Sequence, residues 1–287
     1  MSTAKFQFIL SMFIVGSVGL FVRLLPFASS QIAMARGAIG CLFVLGFSLL
    51  FKKQLSLKRI KADFIILLCS GTALGINWIL LFQSYHYTTI SNATICYYFA
   101  PVIVVLLSPV LLKEKLSIAK VICVLAAITG IVLIAGVGGK GANDFLGVLY
   151  GLGAAIFYAS MMLLNKFLHE VTGIERTIIQ LGAATVSLLP YVALTTTINI
   201  STITSKSILL LFLVGIVHTG CVYLLYFSSM KNLKGQTIAL LSYIDPVVAI
   251  LLSSMLLHES MSMWQIIGGV LILGSAVISE TMQLRDI

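Results

Sequence analysis

Asp245 is the residue whose type and position could do chemistry. It lies near the middle of an apolar run, in Tyr243-Ile244-Asp245-Pro246. A charge at the centre of a bilayer costs about 2.5–3.5 kcal/mol on insertion scales, so such a side chain normally faces a cavity or a partner. A carboxyl there can take up and release protons, or hold a substrate ammonium. The structural alternative is a carboxyl neutralised by a neighbouring Tyr or Arg, steadying a kink at Pro246. The other acids, among them Asp63, Glu114, Asp144, Glu175 and Glu259, fall at the ends of apolar runs or between them.

Candidate companions fall on helical stripes. Thr94, Tyr97, Tyr98, Pro101 and Ser108 recur at three- and four-residue steps and share a face. Neighbouring runs offer Ser70, Asn77, Trp78 and Tyr85; Tyr158, Met161 and Asn165; and His218 with Tyr226. Such a stripe serves packing as readily as binding. Asn77 and His218 say more, because lipid cannot satisfy their hydrogen-bonding groups. His218 either titrates near neutral pH or stays neutral and hydrogen-bonded. Arg36 could grip a carboxylate through its planar fork or snorkel to the interface, whereas Arg23, nearer a run's end, reads as snorkelling. Pro101 and Pro246 free backbone groups and kink their helices, as hinges or as static bends. Glu114 and Glu259 precede later helices, where an acid complements the helix dipole.

Other chemistries find no motif. There is no Gly-x-x-x-x-Gly-Lys-Ser/Thr loop and no His-Glu-x-x-His, so neither a nucleotide cofactor nor a metal is expected. Cys41, Cys69, Cys96, Cys123 and Cys221 form no Cys-x-x-Cys pair and read as buried small apolar residues. An intramembrane enzyme would want a clustered acid, His or Ser constellation, which is missing.

The elements that must position these residues follow from composition. Hydrophobic residues make up 60% of the 287 and charged residues 9%, against roughly 25% charged in soluble domains. Runs of about twenty apolar residues match a bilayer core about 30 Å thick. Ten spans are predicted, at 6–25, 31–51, 63–84, 91–112, 117–137, 145–165, 176–196, 207–228, 236–257 and 263–281. Gly71-x-x-x-Gly75 and Gly147-x-x-x-Gly151 permit close helix approach. Spans 5 and 10 lack a polar stripe and read as outer helices, leaving spans 1–4 and 6–9 around a cavity.

The chain also writes one stretch twice. Tyr98, Pro101, Glu114 and Ser117 recur 145 residues later as Tyr243, Pro246, Glu259 and Ser262, and Gly75, Phe82 and Ser84 recur as Gly220, Phe227 and Ser229. Two five-span halves are therefore expected, 1–138 and 139–287. With the amino terminus inside, 14 of the 18 basic residues fall on the inner face, Lys166 and Arg176 among them; the net charge of +9 reflects this bias and not nucleic acid. An odd number of spans per half makes the second half enter the membrane inverted, a design of secondary transporters.

Ten spans in two inverted fives, with a Pro in the fourth span of each half and a Glu just after it, resemble the EamA-type transporters of the drug/metabolite transporter superfamily. The likeness is carried by Tyr98 to Pro101 with Glu114-Lys115-Leu116-Ser117, and by Tyr243 to Pro246 with Glu259-Ser260-Met261-Ser262. The Gly-bearing Ala126 to Gly130 and Gly268 to Gly274 add to it. It covers essentially the whole chain. Asp245 departs from the pattern, which leads one to expect an uncharged residue before the Pro.

The resemblance implies an all-α membrane protein that exports amino acids or related small amphiphilic metabolites by alternating access. It would be multi-pass in an inner or plasma membrane, with both termini cytoplasmic. The expected partners are a small-molecule substrate and the bilayer, with room for a homodimer through the outer helices. The expected substrate or coupling residues are Asp245, Asn77, Trp78, Tyr97, Tyr98, Tyr158, His218, Tyr226, Tyr243 and Arg36, with Pro101 and Pro246 as hinges. An organic-phosphate or nucleotide-sugar exchanger would need several inward basic residues, for which Arg23, Arg36 and Lys166 are the candidates. A non-transporting assembly partner would need neither Asp245 nor Asn77 at membrane depth.

Overall fold

The computed structural model describes residues 3–52, 55–111, 117–137, 142–169, 171–196, 203–230, 232–233 and 235–283. Lys113 to Leu116 of the first duplicated stretch, the join Gly138 to Gly141, and the counted basic residues Lys53, Lys231, Lys234 and Arg285 lie outside them. Every element within them is helical. In order they are α1 Thr3–Arg23, α2 Ser29–Leu50, α3 Leu57–Ala62, α4 Phe64–Tyr87, α5 Ile90–Tyr97, α6 Ala100–Leu111 and α7 Ile118–Val132. Then follow α8 Ala142–Asn165, α9 Gly173–Thr195, α10 Ser205–Gly215, α11 Val222–Met230, α12 Gly235–Ser242, α13 Ile244–Leu257 and α14 Met263–Gln283. Eight helical stretches among the described residues are long and apolar enough to cross a membrane, and two further apolar helices, Ile244–Leu257 and Met263–Ser279, are shorter.

Two expected spans are broken, both at the duplicated stretch. The first breaks at Tyr98–Phe99 and the second at Tyr243. Proline explains both: it has no N–H to donate, and its ring clashes with the carbonyl four residues back. Pro101 and Pro246 each sit in the first turn of the helix that resumes, where that defect is tolerated. A π turn at Ile216–Cys221 joins α10 to α11.

Helix α4 lies along α8 and α9, α2 lies on α9, and α1 packs on α11 and α13. A β-carbon at Gly71 would stand 2.6 Å from the Gln180 carbonyl oxygen, so the glycine is what lets α4 and α9 meet. Helices α7 and α14 pack on each other at the periphery and expose Ile122, Leu125 and Val132, and Met263, Trp264 and Val270. Burial of the cysteines holds for Cys96 and Cys123, whereas Cys41 and Cys221 are half-buried and Cys69 is exposed. An exposed thiol on an apolar helix has lipid for a neighbour, so its small apolar character does not require a core.

At the end of the bundle where α1 starts, Glu175 draws the short α3 onto α9. Its carboxylate accepts from the Ser56 N–H at 2.7 Å, Arg59 Nη2 at 2.8 Å and the Thr172 N–H at 2.8 Å. Glu175 is fully buried, so an end-of-span acid here is a tether between elements.

Candidate functional site

A cavity of about 400 Å³ lies between the helices, of a size that suits a small molecule. Helices α1, α2, α4, α5, α8, α9, α11, α12 and α13 and the π turn contribute to its wall, and α7 and α14 do not. Arg36, Trp78, Tyr85 and His218 line its deep end, Tyr97, Tyr98, Tyr158 and Asp245 its middle, and Asn165, Arg176, Tyr226 and Phe227 the end where α1 starts.

In the middle, Tyr98 Oη donates to Asp245 Oδ2 at 2.7 Å and also stands 3.3 Å from the Ser242 carbonyl oxygen. Ser242 is four residues before Pro246, so its carbonyl is the one the proline leaves without a helical donor. One phenol thus touches both the carboxylate and the carbonyl freed by the break. Tyr97 stacks on Tyr158, ring centroids 4.8 Å apart.

Deeper in, the Arg36 guanidinium lies over the Trp78 ring at 4.2 Å, and its Nε donates to Thr219 Oγ1 at 3.0 Å. Thr219 is oriented by the π turn, through its own bond to the Val214 carbonyl five residues back at 3.1 Å. Arg36 is buried, and no carboxylate among the described residues pairs with it. His218 Nε2 is 3.0 Å from Ser17 Oγ, and its Nδ1 has no partner among the described residues.

Arg36, Trp78, Tyr97, Tyr98, Tyr158, His218, Tyr226 and Asp245 are therefore brought together. Asn77 is not among them. It is fully buried in the α4–α8 contact and off the cavity wall, where Nδ2 donates 2.6 Å to the Ala154 carbonyl and Oδ1 has no partner among the described residues, so its polarity is spent between helices and not on a solute. Tyr243 lines a separate apolar crevice between α13 and α14, its ring 6.0 Å from that of Tyr98. Pro101 and Pro246 mark the two breaks.

Sequence reasoning missed Tyr223, Gln180 and Arg176. Arg176 was absorbed into the count of basic residues at span ends, yet it lines the cavity with its guanidinium 4.6 Å over the Phe227 ring. The signal that could have found it is its four-residue step to Gln180.

The far end, where α1 finishes, is bridged by a hydrogen-bonded cluster. Arg23 pairs with Glu259 through Nη1, and its Nη2 donates to the carbonyls of Tyr85 at 2.8 Å and Thr88 at 2.9 Å. Glu259 also accepts from the Ile90 N–H at 2.9 Å and Ser253 Oγ at 2.7 Å. Thr88 bonds the buried Asp144 beside it. Two expectations are corrected here. Arg23 does not snorkel, because an acid and two carbonyls within reach replace the water it would seek. Glu259 serves the first N–H of α5, while α14 is started by the reciprocal Ser262–Gln265 pair.

The family model described as "EamA-like transporter family" matches residues 3–136 and again 145–281. The chain belongs to this family. It is 31% identical to the "Uncharacterized transporter YxxF" of Bacillus subtilis (strain 168), over 97% of this chain and 89% of that one. An "Uncharacterized transporter" of Archaeoglobus fulgidus is 26% identical over 94% of each chain. A solved crystal structure covers 99% of this chain and 99% of its own at 18% identity, with a TM-score of 0.68, a likeness that shows the fold. With its apolar helices, the family makes this chain a multi-pass membrane transporter.

Proposed function

We propose that this family member is a secondary-active carrier that exports a small amphiphilic metabolite, an amino acid or a related compound, by alternating access. The observation that carries the reading is the cavity itself: polar and charged side chains at membrane depth converge on one space. A side chain costly to place there is best explained by a solute. Aromatic walls suit the apolar part of an amphiphile, Asp245 an ammonium or a proton, and Arg36 an oxyanion.

Ten spans in two inverted halves, 1–138 and 139–287, with both termini cytoplasmic, complete the proposal. It is supported by the double family match and by the packing. Shifting numbers by 145 turns α1 on α11 and α13 into α8 on α4 and α6, and turns α4 on α9 into α10 on α2; α2 with α9 and α7 with α14 map onto themselves. Rocking one half against the other would break the seal of Arg23 and Glu259 while closing the mouth at Arg176.

The Tyr98 contacts support coupling to protons as part of this reading. With Asp245 ionised, the phenol donates to the carboxylate. With Asp245 protonated, the carboxyl donates to the phenol oxygen, and the phenol proton turns to the Ser242 carbonyl. The proton thereby changes what holds the break before Pro246, a candidate hinge.

The test is reconstitution in liposomes with a panel of labelled metabolites, with and without a proton gradient. No transport of any amphiphile in the panel would refute the reading. Tyr98→Phe is expected to bind and exchange substrate but to lose accumulation driven by the gradient.

A further inference from the structure

We infer that Arg176 forms a second binding site at the cavity mouth, an oxyanion-selective antechamber that draws solutes bearing a carboxylate or a phosphate toward Arg36. This rests on the cavity being the solute path. Arg176 is in the first turn of α9 and half-exposed, with its guanidinium carbon 4.6 Å from the centre of the Phe227 ring. That ring is itself fixed, edge-on to Tyr226 at 5.3 Å and stacked near Tyr223 at 6.0 Å. A cation held over a ring by the π face uses none of its N–H groups for that contact, so they can meet an oxyanion.

The adjacent acid does not neutralise it, because Glu175 is turned away to Arg59, Ser56 and Thr172. No carboxylate among the described residues pairs with Arg176. One turn further in, Gln180 Nε2 is spent on Ser70 Oγ at 2.7 Å and Asn165 Oδ1 at 2.6 Å, and Arg176 is the charged residue of the cavity wall at this end. Arg36 repeats the arrangement at the deep end, again a guanidinium over an aromatic ring. Two such cations with Asp245 between them favour anions and zwitterions and oppose simple cations.

The experiment places one cysteine at Met161, on the cavity wall, in full-length protein whose five native cysteines are replaced by alanine. Its reaction rates with an anionic sulfonatoethyl and a cationic trimethylammonioethyl thiosulfonate are compared. Arg176→Gln is expected to lower the anion-to-cation rate ratio about tenfold, equivalent to about 1.4 kcal/mol, and Arg176→Lys to keep most of it. Sodium acetate and sodium phosphate, each against sodium chloride of equal ionic strength, then tell carboxylate from phosphate preference by which one slows the anionic reagent more. A ratio unchanged in Arg176→Gln, or no slowing beyond chloride by either oxyanion, overturns the antechamber while leaving the cavity reading intact. A Met161 cysteine that reacts with neither reagent overturns both.

Discussion

Replacing Arg23 with glutamine should open the cavity at the end where α1 finishes. The guanidinium joins α1 to the last turn of α4 through two carbonyls and to Glu259 beyond α13. Among the described residues, Glu259 keeps the side-chain contacts to the Ile90 N–H and Ser253 Oγ once it is gone. Breaking a buried ion pair costs about 3–5 kcal/mol, but the Arg23 side chain is 29% exposed and solvent screens part of that. About 2 kcal/mol is a fair share for the contacts made only when this end is closed. At 1.4 kcal/mol per tenfold, the closed-to-open ratio falls about thirtyfold.

The assay is a single cysteine at Leu81, a buried cavity residue on α4, labelled with an impermeant maleimide from the Arg23 side. Where opening precedes labelling and recloses faster, the rate follows the open population and should rise by about the same factor. Glu259→Gln should do likewise, and the double variant should add little, since both remove one contact network. A rise below about twofold in both single variants would refute the claim that this ion pair is the seal.

Asp245→Asn should fold and lose gradient-driven transport; retained exchange would assign the carboxyl to protons, lost exchange with weakened binding to the substrate, and unchanged accumulation would make it structural. Asn77→Ala should lower stability by about 0.5–1.5 kcal/mol, because it removes one bond to an Ala154 carbonyl that keeps its helical donor within α8, while substrate affinity per folded molecule stays constant; this is read from thermal unfolding beside binding. Single cysteines replacing Lys58 and Lys206 should be labelled from opposite faces, Lys58 from the cytoplasm, and labelling of both from one face would refute the topology.

The helices were legible because apolar length is a strong signal and breakers punctuate it. The expected 31–51 became Ser29–Leu50, and 263–281 became Met263–Gln283. Most of the cavity was legible for one physical reason: a polar group at membrane depth needs a partner. What sequence could not supply was which partner. The Asn77 amide N–H met its need on the Ala154 carbonyl and Asp245 on a tyrosine hydroxyl, and nothing in either residue's own segment distinguishes those outcomes. Arg23 and Glu259 are 236 residues apart, and each had a local explanation good enough to hide the other. Arg176 was hidden by position, because a cation in the first turn of a span looks like an interface anchor until the neighbouring helix brings Phe227 beneath it.

The duplicated stretch carries the sharpest functional contrast, and the contrast lies in what its two copies have ceased to share. Both keep the Tyr and the Pro, and both break the helix at the same place. In the first copy the residue before the Pro is Ala100, fully buried, where an ionised carboxylate would be costly. In the second it is Asp245, on the cavity wall. The tyrosines have divided as well: Tyr98 reaches across to Asp245 and the Ser242 carbonyl, while Tyr243 lines an apolar crevice. A break built the same way in both halves thus has a titratable group in only one of them. Under the proposed mechanism the proton acts on the second break, and the first follows because Tyr98 ties the two together. Asp245→Ala would restore the symmetry of the repeat and, since Pro246 remains, keep the break while removing its sensitivity to protons.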